Sequence, residues 1–279
     1  MSDQTIESFW VNIIAGIALL AGVSAVKLLH GHLGRRNPSR RVSTLACVAL
    51  CWLALNTVYV YFFSKFSAVF VFVSCFAFAW IAWSELRQFW RIGLVGADAQ
   101  IQSGLDFGNA LSLVSNSMDF LGIGAAKMTA DGAAFQSAIE RCQRPDRPVR
   151  FLLCRPDNER LAEMARSASA DNDQRSYQKR VQSSLAVIAD LHNNRAWNIQ
   201  VRFYRNFPIF RLMFINDSIC LASHYVLGKG SGAELPQLHI VRLSGSRDVD
   251  SLYYAFDSYF ERFWDEAEAW DFQSYLERS

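Results

Sequence analysis

The chain has 279 residues, of which 51% are hydrophobic, 14% aromatic and only 19% charged. That balance excludes a disordered chain, and 15 Gly with 6 Pro exclude a collagen-like or low-complexity fibre. A net charge of +2 gives no bulk electrostatic case for nucleic acid, so no direct DNA binding is expected, and six Cys are too sparse for a disulfide framework.

The apolar residues are concentrated at the start. Three runs, about 9–29, 42–63 and 67–83, are nearly free of charge, Lys27 being the exception in the first. Each approaches or exceeds the length a helix needs to cross the hydrocarbon core. A cleaved signal peptide is the alternative for the first run, but Met1–Ser8 holds Asp3 and Glu7 and no Lys or Arg. Lys27, Arg35, Arg36, Arg40 and Arg41 surround the first connection, and Arg87 and Arg91 follow the third run. The basic side faces the cytoplasm, so the N-terminus is expected outside and the rest of the chain inside. No run carries an internal Asp, Glu or His, which argues against a transporter. Asn12 and Asn56 read as hydrogen-bonding groups between helices, with a pore-lining role as the alternative.

Residues 86–103 read as a stalk in which Phe89, Trp90, Ile92 and Leu94 continue the third helix into the interface. From 104 to 279 the pattern changes to that of an α/β domain. Gly104–Ser117 reads as an amphipathic helix, Met118–Gly124 as a short apolar strand, Gly132–Arg141 as a helix and Pro148–Cys154 as a buried strand. Asn158–His192 is mainly helical, with a polar break around 169–174. Strands follow at Ile199–Tyr204, Arg211–Ile215, Ser218–Ala222 and His239–Leu243, the middle two joined at Asn216-Asp217, which has hairpin chemistry. Val249–Ser274 closes the chain as a long amphipathic helix with Leu252, Phe256, Tyr259, Phe260, Phe263 and Trp264 on one face.

Four stretches in this order carry a family likeness: Met118–Gly124, Val149–Asn158 with its Arg-Pro-Asp turn, Val201–Ser223, and the aromatic–acidic Phe256–Ala267. The domain resembles single-copy, degenerate members of the phospholipase D-like superfamily, which implies an α/β sandwich. Active members carry His-x-Lys-x4-Asp on the third stretch. Here that register reads Ile209, Arg211 and Asn216. An alkyl side chain cannot attack phosphorus, so the resemblance implies a domain that has lost catalysis. Arg211 still offers a planar fork for a phosphate; the alternative is that it caps a sheet edge or pairs with an acid.

Lys127, Arg155, His224, Tyr225 and Lys229 follow strand ends or lie in nearby loops, where α/β sheets bind ligands, and join Arg211 and Asn216 as candidate ligand-binding residues. Each has the alternative of a solvated loop group. Gly228–Gly232 lacks the spacing of a P-loop. Cys142, Cys154 and Cys220 show no metal spacing, and His30 and His32 have no third ligand in view, so no metal and no cofactor are expected.

Three spans joined to such a domain resemble the small transmembrane effectors of bacterial anti-phage systems. That likeness implies an inner-membrane sensor–effector. It would take a nucleotide-type signal or a defence partner, act on the membrane lipids and arrest growth. A single-copy domain of this kind also implies a homo-oligomer. The competing readings are a phosphodiesterase or phospholipid enzyme using His224 or His239, and a scaffold that only oligomerises.

Overall fold

The computed structural model describes residues 75–76, 79–80, 83–84, 86–168, 175–225, 234–243 and 251–272. The first two expected spans and most of the third lie outside these residues. Among the described residues, no helix is long and apolar enough to cross a membrane. Residues 1–88 and 89–279 form two compact units.

The second unit is built on one eight-stranded mixed sheet. In chain order the strands are β1 (Leu94–Asp98), β2 (Met118–Leu121), β3 (Val149–Leu153), β4 (Ile199–Phe203), β5 (Phe210–Ile215), β6 (Ile219–His224), β7 (Gln237–Val241) and β8 (Glu268–Ala269). Across the sheet they run β1-β7-β6-β5-β2-β3-β4-β8. β2, β3 and β4 are parallel, and β5, β6 and β7 are successive antiparallel partners. The helices are α1 (Phe107–Leu113), α2 (Ala126–Thr129), α3 (Gly132–Arg141), α4 (Glu159–Ala168), α5 (Ser176–Arg195) and α6 (Leu252–Glu266).

Strand alternation assigns the two faces. Arg211, Met213 and Ile215 share one face of β5 and, through their register, Phe120 and Met118 share it on β2. Phe151 of β3 lies on the same face, with its ring centroid 6.0 Å from that of Phe135 of α3. Phe120, Phe135 and Phe151 are fully buried, each worth about 1.5–3 kcal/mol. The other face carries Phe210, Phe214 and Asp119. There α6 packs, with Phe214 5.6 Å from Tyr253 and 5.7 Å from Phe260.

An ion network ties α6 to the sheet. Arg150 donates to Asp119 at 2.9 and 2.8 Å and to Glu261 at 2.7 and 3.1 Å. Its guanidinium also lies 4.9 Å from the Phe260 ring centroid. Arg147 bridges Asp119 to Asp217 in the β5–β6 turn. Caps set the helix starts: Asp106 accepts from Asn109, Asp131 from Ala134 and Ser251 from Tyr254, each on the backbone N–H. Such caps contribute about 1 kcal/mol apiece.

Two expectations of local structure change. Leu94, expected to prolong the stalk helix, begins β1. The helix instead stops at Arg91, because Gly93 adopts a left-handed φ of 82° and a Cβ there would stand 2.5 Å from the Val241 carbonyl oxygen. The last helix ends at Glu266 rather than near 274. Trp270 then donates its N–H to Val201, and its ring sits 6.1 Å from Phe203. Aromatic packing and ladder bonds at the β4 edge take the place of another helical turn.

Candidate functional site

β2 ends in Gly122-Ile123-Gly124, and the backbone then turns into α2. β5 is antiparallel to β2, so its first residues stand beside that turn. Register also pairs Arg211 with Ser223 and Phe210 with His224. These strand ends and the N-terminal part of α5 enclose a cleft of about 90 Å³. It sits beyond the carboxyl end of a parallel strand, where open α/β sheets place ligands.

Arg211 is its deepest cation, at 8% exposure. Its Nη2 donates to Ser223 Oγ at 3.2 Å, and the guanidinium lies 5.1 Å from the Phe107 ring centroid. Lys127 of α2 and Arg180 of α5 are the more exposed cations of the same cleft, with Tyr177 and Tyr225 beside them. Arg180 stands 5.6 Å from the Tyr177 ring centroid.

The turn that presents Lys127 is held from two sides. The Ile123 N–H donates to Tyr225 Oη at 2.9 Å, and the Ala125 N–H donates to Ser184 Oγ at 3.3 Å. Gly124 allows α5 to come this close: a Cβ there would lie 3.0 Å from Val181 Cγ2.

The electrostatics fit an anion. Burial pushes the Lys127 ammonium below its ordinary pKa, the charges of Arg211 and then Arg180 push it further, and Glu234 opposes them. Burial lowers Arg211 as well, opposed by Tyr225. Burial pushes the Tyr225 phenol up to about 12, against the pull of Arg211 and of the Ile123 N–H. Tyr225 therefore keeps its proton at neutral pH and has an O–H to donate. A phosphate group in this cleft would have two guanidinium forks, an ammonium and a phenol among its lining residues, the donor set that favours charge-assisted hydrogen bonds.

Of the residues expected from sequence, Arg211, Lys127 and Tyr225 meet in this cleft. His224 does not, because alternation turns it to the opposite face, where its ring packs edge-on against Phe210 at 5.9 Å. Arg155 pairs with Asp157 at 3.2 Å and Glu268 at 2.9 Å on the exposed β8 side. Asn216 stands five residues along β5 from Arg211, about 17 Å away at strand rise. There it holds the hairpin turn: Oδ1 accepts from Ser115 and Asn116, and Nδ2 donates to the Leu113 carbonyl. Lys229 lies outside the described residues. Ile209 is exposed and gives its N–H to Tyr259 Oη at 3.0 Å. His239 is held by Asp98 at 2.8 Å and does not line the cleft.

Arg180 and Tyr177 were not among the expected residues. Their signal was present in the spacing: Tyr177, Arg180, Val181 and Ser184 fall on one helical stripe, whose apolar part continues through Leu185 and Ile188. Among the described residues, no group of His, Cys, Asp or Glu is arranged to hold a metal ion.

No family model and no curated protein matches the chain. Among solved structures it is similar to TrmBL2, an archaeal chromatin protein described as showing a novel mode of DNA binding, at 13% identity over 74% of this chain and 67% of that one, with a TM-score of 0.37. It is also similar to Nuc from Salmonella typhimurium, a phospholipase D family member, at 13% identity over 59% of this chain and 88% of that one, with a TM-score of 0.36.

Proposed function

We propose that this chain is a membrane-anchored sensor and effector. Its α/β domain holds a phosphate-containing, nucleotide-type ligand without cleaving it, and occupancy acts on the inner membrane through the N-terminal spans, arresting growth as an anti-phage effector does. The observation that carries the reading is the meeting of Arg211 from β5, Lys127 from the β2 turn and Arg180 from α5 in one cleft. One buried and two exposed cations stand close enough that, beyond the effect of burial, the charges of Arg211 and Arg180 lower the Lys127 pKa, and an anion among them would favour all three charged forms.

Binding without turnover is supported by what surrounds those cations. Ile209 occupies the register of the family's nucleophile, and neither His224 nor His239 lines the cleft. Ligand binding shifts a membrane state only through different affinity for two conformations. An oligomer of three-span units would give such a shift a collective effect in the membrane.

The test is expression of the full chain in a bacterium, with growth and membrane potential followed together. The expected result is growth arrest with depolarisation that survives His224→Ala and is lost in both Arg211→Glu and the rim variant Arg180→Glu at equal expression. Arrest unchanged in both arginine variants would remove sensing at this cleft. Hydrolysis of a generic phosphodiester by the purified full chain, lost in His224→Ala or in the corresponding His239→Ala, would establish the enzyme reading instead.

A further inference from the structure

The build of the cleft bears on which kind of phosphate it would take, given the phosphate-binding reading above. At about 90 Å³ it is far smaller than the 300–1,000 Å³ typical of pockets that enclose a whole small molecule. It fits one head group, with the remainder of the ligand outside. The cations are graded in depth: Arg211 is buried, whereas Lys127 and Arg180 are exposed at the rim. Between them the wall is made of buried Phe120, Ala125, Met128 and Val181.

We infer that this cleft receives the terminal phosphomonoester of its ligand and selects it over an internal phosphodiester. A monoester has three unsubstituted oxygens. One can reach the Arg211 fork while the others meet the rim cations, and its single ester oxygen points to solvent. A diester has two such oxygens, so its second substituent must either displace a charge-assisted contact or press into the narrow apolar wall. The charge argument agrees, because a monoester above its second ionisation near pH 6 carries almost two negative charges against the diester's one.

The experiment uses the full chain in maltoside micelles, which contain no phosphorus, and follows 31P line broadening of methyl phosphate and dimethyl phosphate. The expected result is half-saturation by methyl phosphate at a concentration at least about tenfold lower, the worth of one charge-assisted hydrogen bond. That preference should shrink as the pH falls below about 6 and the monoester loses its second charge. It should also be lost in Arg180→Ala, an exposed substitution that leaves the sheet intact, and in Arg211→Met. Equal or tighter binding of dimethyl phosphate would overturn the selectivity and leave the phosphate reading standing. Absence of binding by both probes would overturn both. Methyl phosphate binding unchanged in both arginine variants would place the site elsewhere and overturn the inference.

Discussion

The phenol of Tyr225 accepts the backbone N–H of Ile123 at 2.9 Å, joining the end of β6 to the end of β2 across 102 residues of chain. This bond fixes the turn that carries Lys127 relative to the strand pair that carries Arg211. Tyr225→Phe removes the acceptor and leaves the Ile123 N–H in a partly buried site. The expected cost is about 1–2 kcal/mol of stability in denaturant unfolding, with weaker phosphate binding by the folded protein. Unchanged affinity in this variant would mean that Ser184 and the backbone bonds of Gly122 to Leu152 and of Cys154 to Ile123 suffice to hold the turn.

Lys127 gives the site a pH signature. Its pKa in the free protein lies below the ordinary lysine value, first through burial and then through Arg211 and Arg180. A bound anion raises it again, so binding above neutrality takes up a proton. Affinity for methyl phosphate is therefore expected to fall as pH rises through the free-state pKa, earlier than an unperturbed lysine would dictate. Lys127→Arg moves that fall to higher pH. A titration of affinity from pH 7 to 10 checks both statements.

Asp257 is expected to cost stability. Burial raises its pKa above the ordinary carboxyl value of 3.8, and Glu261 adds repulsion that Arg150 partly offsets. A raised carboxyl pKa means that the ionised folded state carries a penalty at neutral pH. The penalty vanishes once the pH is below the unfolded value, because both states are then protonated. Asp257→Asn should raise the thermal midpoint at pH 7, with the gain fading as pH falls toward 4. Calorimetry at the two pH values reads the difference.

Asn216→Ala separates architecture from binding. Asn216 sits at φ 55°, and its amide makes three hydrogen bonds to the last residue of α1 and the segment after it. Alanine loses these bonds and is strained in the left-handed region. A loss of about 2–4 kcal/mol is expected, with phosphate affinity of the folded fraction unchanged. A fall in affinity without a fall in stability would return Asn216 to the site.

The central strands were legible because each obeys a simple pattern. Val149–Leu153 is a short, mostly apolar run, Ile199–Phe203 alternates apolar with polar residues, and Asn216-Asp217 carries the positive φ values its hairpin requires. β1 was hidden because Leu94 and Val95 continue an apolar run that begins in a helix, and only the conformation of Gly93 divides the two. β8 was hidden for the opposite reason. Glu268 and Ala269 carry no strand signal, and their pairing is set by Trp270 and Phe272 packing some 70 residues away in sequence.

The site was legible in part. Arg211 stood out as a cation in an otherwise apolar strand, and Lys127 and Tyr225 follow strand ends. His224 was misplaced by its proximity in sequence, since adjacent strand residues point to opposite faces. Arg155 sits at the correct end of β3 but beside two carboxylates, one of them 113 residues away. Arg180 needed the phase of α5 relative to the sheet, which a single helix does not disclose.

The sheet's outermost strands bear on self-association. β8 is two residues long, and β1 breaks register between Leu94 and Gly96. Neither margin offers the long, regular row of unpaired amides that templates runaway β-pairing. Among the described residues, the outermost strands therefore leave little regular backbone through which one copy could pair with another.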